Sequence, residues 1–301
     1  YYSLQHDYPV FRCKAMLHRN NAVCAATVVG KPRQEDFFLG DYLQELLSPL
    51  FPVVMPSVLD LWSYGETGYH SLAAAVVQER YKREAMVSAF RILGEGQLAL
   101  TKFLLLLDKK IDLKDFRKVL EHLLERFDPR TDLFIFSNLS MDTLDYTGPK
   151  VNEGSKEVVL GLGDPIRALP RKFAGQLPSG VSKISEFCAG CLVVQGSDYS
   201  SSNELAKRVA SNQEFAEWPL VVLVDDVEKA TRNTPDFLWT TFTRFEPAAD
   251  IQACSSTIVR NHVSYEGPVV IDARMKPWYP KELECDPKTK ALVDSRWGEY
   301  F

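Results

Sequence analysis

The 301-residue sequence contains no apolar run long enough for a membrane span. Runs such as Phe103 to Leu107 and Leu220 to Val224 fall far short of the ~20 residues that a bilayer core requires. There is no basic excess either: 35 Lys and Arg stand against 40 Asp and Glu, a net charge of −5. That argues against a sequence-independent nucleic-acid binder, which needs positive charge to neutralise phosphates. The start is polar and aromatic, without the basic-then-apolar pattern of a secretory signal. It also lacks Met: the chain opens Tyr1-Tyr2-Ser3, which we read as a processed chain or a piece of a longer one. Six cysteines form no disulfide framework in a chain of this size, so a reduced, cytoplasmic protein is expected. No Gly-x-Ser-x-Gly elbow and no Walker loop occur.

What is present is ample for a folded core. The chain is 46% hydrophobic, 25% charged and 11% aromatic, outside the range of disordered sequences. At ~150 residues per domain, its length suggests two. Phe11, Cys13, Ala15 and Leu17 alternate as a half-buried strand, His18 to Asn21 make a turn, and Ala22 to Val29 return as a second strand. Leu43, Leu46, Leu47 and Leu50 mark a helical face that stops near Pro49 and Pro52.

From Ser71 the pattern becomes α/β. Leu72 to Val77 and Phe103 to Leu107 read as strands buried on both faces, with a helix between them on Ala85, Met86, Ala89, Phe90 and Leu93. Asp112 is the expected N-cap of a helix with the stripe Phe116, Val119, Leu120, Leu123, Leu124 and Phe127. Asp128-Pro129 ends it, and Leu133 to Phe136 is the next strand.

This unit recurs. Asp108 and Asp225 lie 117 positions apart, as do Gln78 and Gln195. Arg126-Phe127-Asp128-Pro129-x-x-Asp132 answers Arg244-Phe245-Glu246-Pro247-x-x-Asp250, 118 positions on. The helix before the second motif starts at Thr234-Pro235, read as N-cap and first-turn Pro. Its stripe Phe237, Leu238, Phe242, Phe245 repeats the earlier one. An internal duplication of about 115 residues follows. Only the first copy carries the glycine turn Gly94 to Lys102, so a site built on that turn would exist once.

Candidate chemistry is sparse. Cys188-Ala-Gly-Cys191 has zinc or redox spacing, but no second soft pair accompanies it and it leads into a strand, so we read core thiols. Gly94-x-Gly96 and Gly161-x-Gly163 lack the third glycine of a dinucleotide fingerprint and read as turns. His122 and Glu125 share a helix face without further metal ligands. Asp108, Asp112 and Asp115 lack the glycine and glutamate of a calcium loop.

Longer motifs point further. Thr27-Val-Val-Gly30-Lys31-Pro32-Arg-Gln-Glu35-Asp36-Phe-Phe-Leu-Gly40-Asp41 resembles the Thr-x-x-Gly-Arg-Pro-Pro-x-Glu-Asp-x-x-Leu-Gly segment of the UbiD decarboxylases. Tyr8-Pro9-Val10-Phe11, Gln97-x-x-Leu100-Thr101-Lys102, Asp108-x-x-Ile111-Asp112 and Arg126-Phe127-Asp128-Pro129-x-x-Asp132 resemble further motifs of that family, in order. The family's closing Gly-x-Lys-x-x-x-Asp-Ala-Thr is split between Gly154-Ser155-Lys156 and Ile271-Asp272-Ala273-Arg274.

The resemblance implies a carboxy-lyase for an aromatic or α,β-unsaturated acid, using prenylated FMN with a Mn or K ion. It implies that the catalytic Glu and Arg and the metal ligands lie upstream of Tyr1, so that no catalytic or metal residue is assigned within this chain. The chain alone is then expected to be inactive and not to bind the flavin tightly. It supplies a pocket wall: Val23, Cys24, Gln97, Leu98, Thr101 and Lys102, with the extended loop Asp60 to Glu66 nearby. The expected division is a split-barrel remnant over 1–52, two α/β copies over 53–165 and 166–280, and a helical tail over 281–301. Expected partners are a small aromatic acid and further copies of the chain. The alternatives are an oligomerisation scaffold and a free-standing flavin-binding module.

Overall fold

The structure, a computed structural model, describes residues 7, 9–22, 35–282 and 285–299. The apolar runs become the centres of two sheets. In the first, β1 (Val58–Ser63) is antiparallel to β2 (Leu72–Val77), and β2 is parallel to β3 (Phe103–Leu107). β4 (Leu133–Ser140) forms the far edge, antiparallel to β5 (Glu153–Gly161), which itself runs parallel to β3. The order is β1-β2-β3-β5-β4. Every residue of β2 and β3 is buried, as a sheet covered on both faces requires.

The second sheet repeats the plan. β6 (Val181–Cys188), β7 (Cys191–Gly196), β8 (Leu220–Val224), β9 (Ile251–Gln252) and β12 (Val269–Asp272) stand in the order β6-β7-β8-β12-β9, with the same strand directions. A hairpin of β10 (Ser255–Val259) and β11 (His262–Glu266) is inserted before β12. Its turn residues, Arg260 and Asn261, both have positive φ, the type I′ geometry of two-residue hairpins. The duplication read from the sequence is present in the topology.

The ladders fix which residues correspond. Phe103 pairs with Leu72 and Glu157, as Leu220 pairs with Cys191 and Val269. Asp108 and Asp225 are therefore equivalent, and so are Asp132 and Asp250. The Gln78–Gln195 correspondence fails: Val76 pairs with Leu107 where Gln195 pairs with Val224, so Gln195 answers to Val76.

The recurring acids clasp loops. Asp108 Oδ2 accepts the Gly163 N–H at 2.8 Å, and Asp225 Oδ2 accepts the Met275 N–H at 2.8 Å. Asp132 Oδ2 accepts the Asp128 N–H at 3.0 Å, and Asp250 Oδ2 accepts the Glu246 N–H at 2.8 Å.

Helices α1 (Glu35–Leu47) and α2 (Phe51–Val54) precede the first sheet, and α3 (Glu84–Ile92) and α4 (Phe116–Arg126) belong to it. α5 (Leu205–Ala210), α6 (Val227–Thr231), α7 (Thr234–Phe242) and α8 (Pro247–Asp250) belong to the second, and α9 (Pro287–Ser295) forms the tail. The cap of α4 is Asp115, which accepts from Lys118; Asp112 instead accepts from Lys114 at 3.0 Å in the preceding turn. Asn233 rather than Thr234 caps α7, accepting the Asp236 N–H at 2.8 Å. In both cases the backbone enters the helix at the residue after the cap, and that entry point differs from the one spacing selected.

α4 and α7 lie in a seam between the sheets and share one apolar cluster with both copies. Phe103 of the first copy meets Phe242 and Phe245 of the second edge-on, at 5.3 and 5.7 Å between centroids, a favoured aromatic geometry. Separate clusters hold α3 against the first sheet and α5 against the second. Cys188 and Cys191 face each other across the β6–β7 turn, both buried in the seam. They are free core thiols, as read.

Two expectations need correction. Residues 9–19 form no strand, and Phe11 and Leu17 stand 95% and 98% exposed; alternation alone makes no strand without a ladder partner. The returning strand expected over Ala22 to Val29 lies, from Val23 on, outside the described residues. Asp60 to Glu66 is not an extended loop but the edge strand β1 followed by a tight turn. The Gln44 side chain completes that edge, accepting the Ser63 N–H at 2.6 Å and donating to the Ser63 carbonyl at 3.0 Å.

Candidate functional site

The glycine turn leads directly into β3. A 3-10 turn over Gly96–Leu100, with Gly96 at φ +48°, delivers Thr101 and Lys102 to the strand. The six expected wall residues divide. Gln97 is exposed, Leu98 packs half-buried on the α3 side, and Thr101 and Lys102 are each only 1% exposed. Val23 and Cys24 lie outside the described residues.

Lys102 is fixed on three sides. Its Nζ lies 2.7 Å from Asp145 Oδ2 and donates to the Phe245 carbonyl at 2.8 Å and to Thr147 Oγ1 at 3.4 Å. Thr147 in turn donates to Asp145 Oδ1 at 2.6 Å from its hydroxyl and 3.0 Å from its N–H. A lysine with its three donors engaged and a carboxylate in contact is held in one place. The Phe245 carbonyl belongs to the second copy, so Lys102 also ties the two copies together.

Beside it stands Lys156 of β5, 4% exposed, donating to the Thr101 carbonyl at 3.0 Å. Among the described residues it forms no ion pair. Burial pushes its ammonium down to about 8; Asp145 draws it up and Lys102 pushes it down further. His70 is also lowered, by burial first; Asp142 opposes this, Lys156 adds to it, and a hydrogen bond with the Gln97 backbone raises the ring. The arrangement sets beside the Lys102–Asp145 ion pair a lysine, Lys156, that burial lets release its proton at about pH 8.

Sequence reasoning missed His70, Asp142, Asp145 and Thr147. Their only signal is the polar loop after β4, and nothing local indicates that it folds back onto a lysine some forty positions earlier. Lys156 was visible only as part of the Gly154-Ser155-Lys156 motif.

The second copy has no such lysine pair, because Pro219 and Pro268 occupy the positions of Lys102 and Lys156. Two buried ion pairs of that copy gather around the end of β12. Arg274 is paired with Asp272 at 2.6 Å, and Lys276 with Asp250 at 3.1 Å. A cleft of about 270 Å³ lined by Tyr199, Glu204, Lys207, Asp250 and Asp272 opens beside them. Their hydrogen bonds are made within the protein, which marks this group as a clasp for the end of β12.

Fold and site together define an α/β protein of two tandem copies, with a single buried lysine pair in the first. Residues 37–161 match the 3-octaprenyl-4-hydroxybenzoate carboxy-lyase C-terminal domain. Over these residues the match is to the C-terminal domain of the UbiD family.

Among curated relatives, an uncharacterized protein of Chlamydia trachomatis is 53% identical over 302 residues, covering 100% of this chain and 52% of its own length. A 4-hydroxybenzoate decarboxylase subunit of Chlamydia pneumoniae is 52% identical over 301 residues, covering 100% of this chain and 51% of its own length. The chain thus spans about half the length of the curated relatives it matches. Among solved structures, the UbiD-class enzyme HmfF from Pelotomaculum thermopropionicum in complex with FMN aligns at 17% identity and a TM-score of 0.38, over 48% of this chain and 32% of that one. The open form of Sedimentibacter hydroxybenzoicus vanillic acid decarboxylase aligns at 22% and 0.36, over 44% and 29%.

Proposed function

We propose that this chain is the C-terminal part of a carboxy-lyase acting on an aromatic or α,β-unsaturated acid of the quinone-biosynthesis type, with prenylated FMN as cofactor of the whole protein. The observation that carries this reading is the match of residues 37–161 to the carboxy-lyase C-terminal domain family. The match along the whole of this chain to a chlamydial protein named as part of a 4-hydroxybenzoate decarboxylase supports it. On this reading residues 1–52 belong to the flavin-binding unit, 53–165 and 166–280 are the two copies, and 281–301 is the tail. The protein works in the cytoplasm as a homo-oligomer.

The described residues do not by themselves fit a flavin or its ion. The donors of Lys102 are taken by Asp145, Thr147 and the Phe245 carbonyl, leaving none for a phosphate. Among the described residues no three His, Cys, Asp or Glu converge as metal ligands. On this reading the cofactor and its Mn or K ion are held mainly by residues upstream of Tyr1. This chain's contribution is a wall: Val23, Cys24, Gln97 and Leu98 at its face, and Thr101 and Lys102 as its rigid backing. A charge held by Asp145 stays in place whatever approaches it, which is the property a positioning wall needs. The purified chain, prepared with prenylated FMN available, is expected to be colourless. Stoichiometric flavin on the isolated chain would contradict the wall role and favour a free-standing flavin module.

A second reading, an oligomerisation scaffold, is favoured by α1. This helix buries none of its side chains, and Phe38, Leu39, Tyr42 and Leu46 are all more than half exposed. The tail likewise presents Leu292 and Trp297. Solution mass measured with and without residues 281–301 tests it: an unchanged monomer in both removes this reading.

A further inference from the structure

Glu157 stands where the fold calls for an apolar residue. Side chains alternate along a strand, so Lys156 faces the Thr101 carbonyl beside Lys102 and Glu157 points the other way, into the seam between the copies. There it borders an internal cavity of about 30 Å³ walled by Phe103, Leu120, Leu124, Phe242 and Val269 among others, and it is the one polar residue of that wall. It is 1% exposed, and among the described residues its Oε2 has no hydrogen-bond partner. In the second copy the equivalent residue is Val269.

We infer that Glu157 is a proton-operated latch on the seam: as the neutral acid it lets the two copies close, and its ionisation draws water into the cavity and loosens them.

The surroundings leave the charge unanswered. On α4, Arg117 is engaged with the Phe187 carbonyl and ring, Glu121 with the Ala189 N–H, and Arg126 with Glu125 and the Gly163 carbonyl. Lys118 pairs with Asp115, and His122 lies on the flank near Arg126 and Asp108. On α7, Asp236 pairs with Arg232. Charges next to the strands sit at their ends: Lys102 and Asp108 on β3, Asp132 before β4, Asp225 after β8, and Asp272, bound to Arg274, on β12. On β11, His262 lies against Phe134 and Glu266 is exposed. Tyr265 feels Glu157: its phenol is raised by burial and further by that carboxyl. Burial alone raises Glu157 well above the ordinary carboxylate range.

The latch also touches the lysine pair, because the Glu157 N–H donates to the Lys102 carbonyl at 2.8 Å. Loosening at Glu157 therefore acts on the strand that carries the proposed wall.

The test compares the chain with Glu157→Gln and Glu157→Val. Below about pH 4 the carboxyl is protonated folded or unfolded; above that, the unfolded chain gains by ionising. The midpoint of thermal unfolding of the wild type is therefore expected to fall relative to both variants as pH rises from about 4 towards the raised folded value. Hydrogen exchange of the β3 and β5 amides at alkaline pH is expected to be faster in the wild type than in Glu157→Gln. The infrared carbonyl band of a protonated acid is expected in the folded wild type at neutral pH and to be lost in Glu157→Gln. Equal pH dependence of wild type and Glu157→Gln, or absence of that band, overturns the inference. Glu157→Gln and the band decide the matter even if Glu157→Val does not fold.

Discussion

Lys102 and Asp145 form an ion pair at 2.7 Å with 1% and 3% of their side chains exposed, and the same ammonium holds the Phe245 carbonyl of the other copy. Two charges withdrawn this far from water are stable only as a pair. Asp145→Ala is expected to cost about 3–5 kcal/mol by stranding the ammonium, and Lys102→Met a similar amount. The double variant Lys102→Met with Asp145→Leu should cost clearly less than either alone. Urea denaturation of all three checks this, and a double variant as unstable as the sum of the singles refutes it.

Lys156 has the opposite arrangement, a buried lysine without a carboxylate in contact. Its folded value of about 8 lies below the ordinary lysine value, so the folded state binds the proton less tightly than the unfolded chain. The cost is full below about pH 8 and is relieved as pH rises from there towards about 10.4. Lys156→Met should therefore be more stable than wild type at pH 7, with the gap narrowing above pH 8. Thermal unfolding of both across that range gives the difference directly; a constant gap contradicts it.

The repeated Arg-Phe-acid-Pro-x-x-Asp motif gives a paired prediction. Asp132 clasps its loop and pairs with Arg83, which is 39% exposed; Asp250 clasps the equivalent loop and pairs with Lys276, which is fully buried. Asp132→Ala loses hydrogen bonds with a solvated partner and should cost about 1–2 kcal/mol. Asp250→Ala strands a buried ammonium and should cost about 3–5 kcal/mol. Denaturant midpoints of the two variants test the order.

Gln44 ties α1 to the edge strand β1. Gln44→Ala should release α1 without unfolding the sheets, read as faster hydrogen exchange at the Ser63 amide and new proteolysis near residues 35–47. The cost is about 1–2 kcal/mol, confined to that contact.

The sequence was most legible where one residue's chemistry decides local geometry. The all-apolar strands, the stripe of α4 and the Asp108–Asp225 correspondence hold, because burial and a loop clasp each impose a residue type. Gln78 and Gln195 share a residue type without sharing a task, and the ladders move their correspondence by two positions. β1 escaped notice because its burial is irregular and its edge is completed by a glutamine outside the sheet. The acids around Lys102 escaped because only tertiary closure brings a loop at residues 142–147 to β3. Thr101 and Lys102, chosen as wall residues, are buried, whereas Gln97 is exposed.

On the proposed reading, catalysis belongs to the longer protein, of which this chain forms one wall. The deciding experiment is CO2 release from 4-hydroxybenzoate-type acids with prenylated FMN supplied, by the 301-residue chain and by the longer protein that contains it. Turnover is predicted for the longer protein and none for the chain. Turnover by the isolated chain, or none by the longer protein across aromatic and α,β-unsaturated acids, would contradict it.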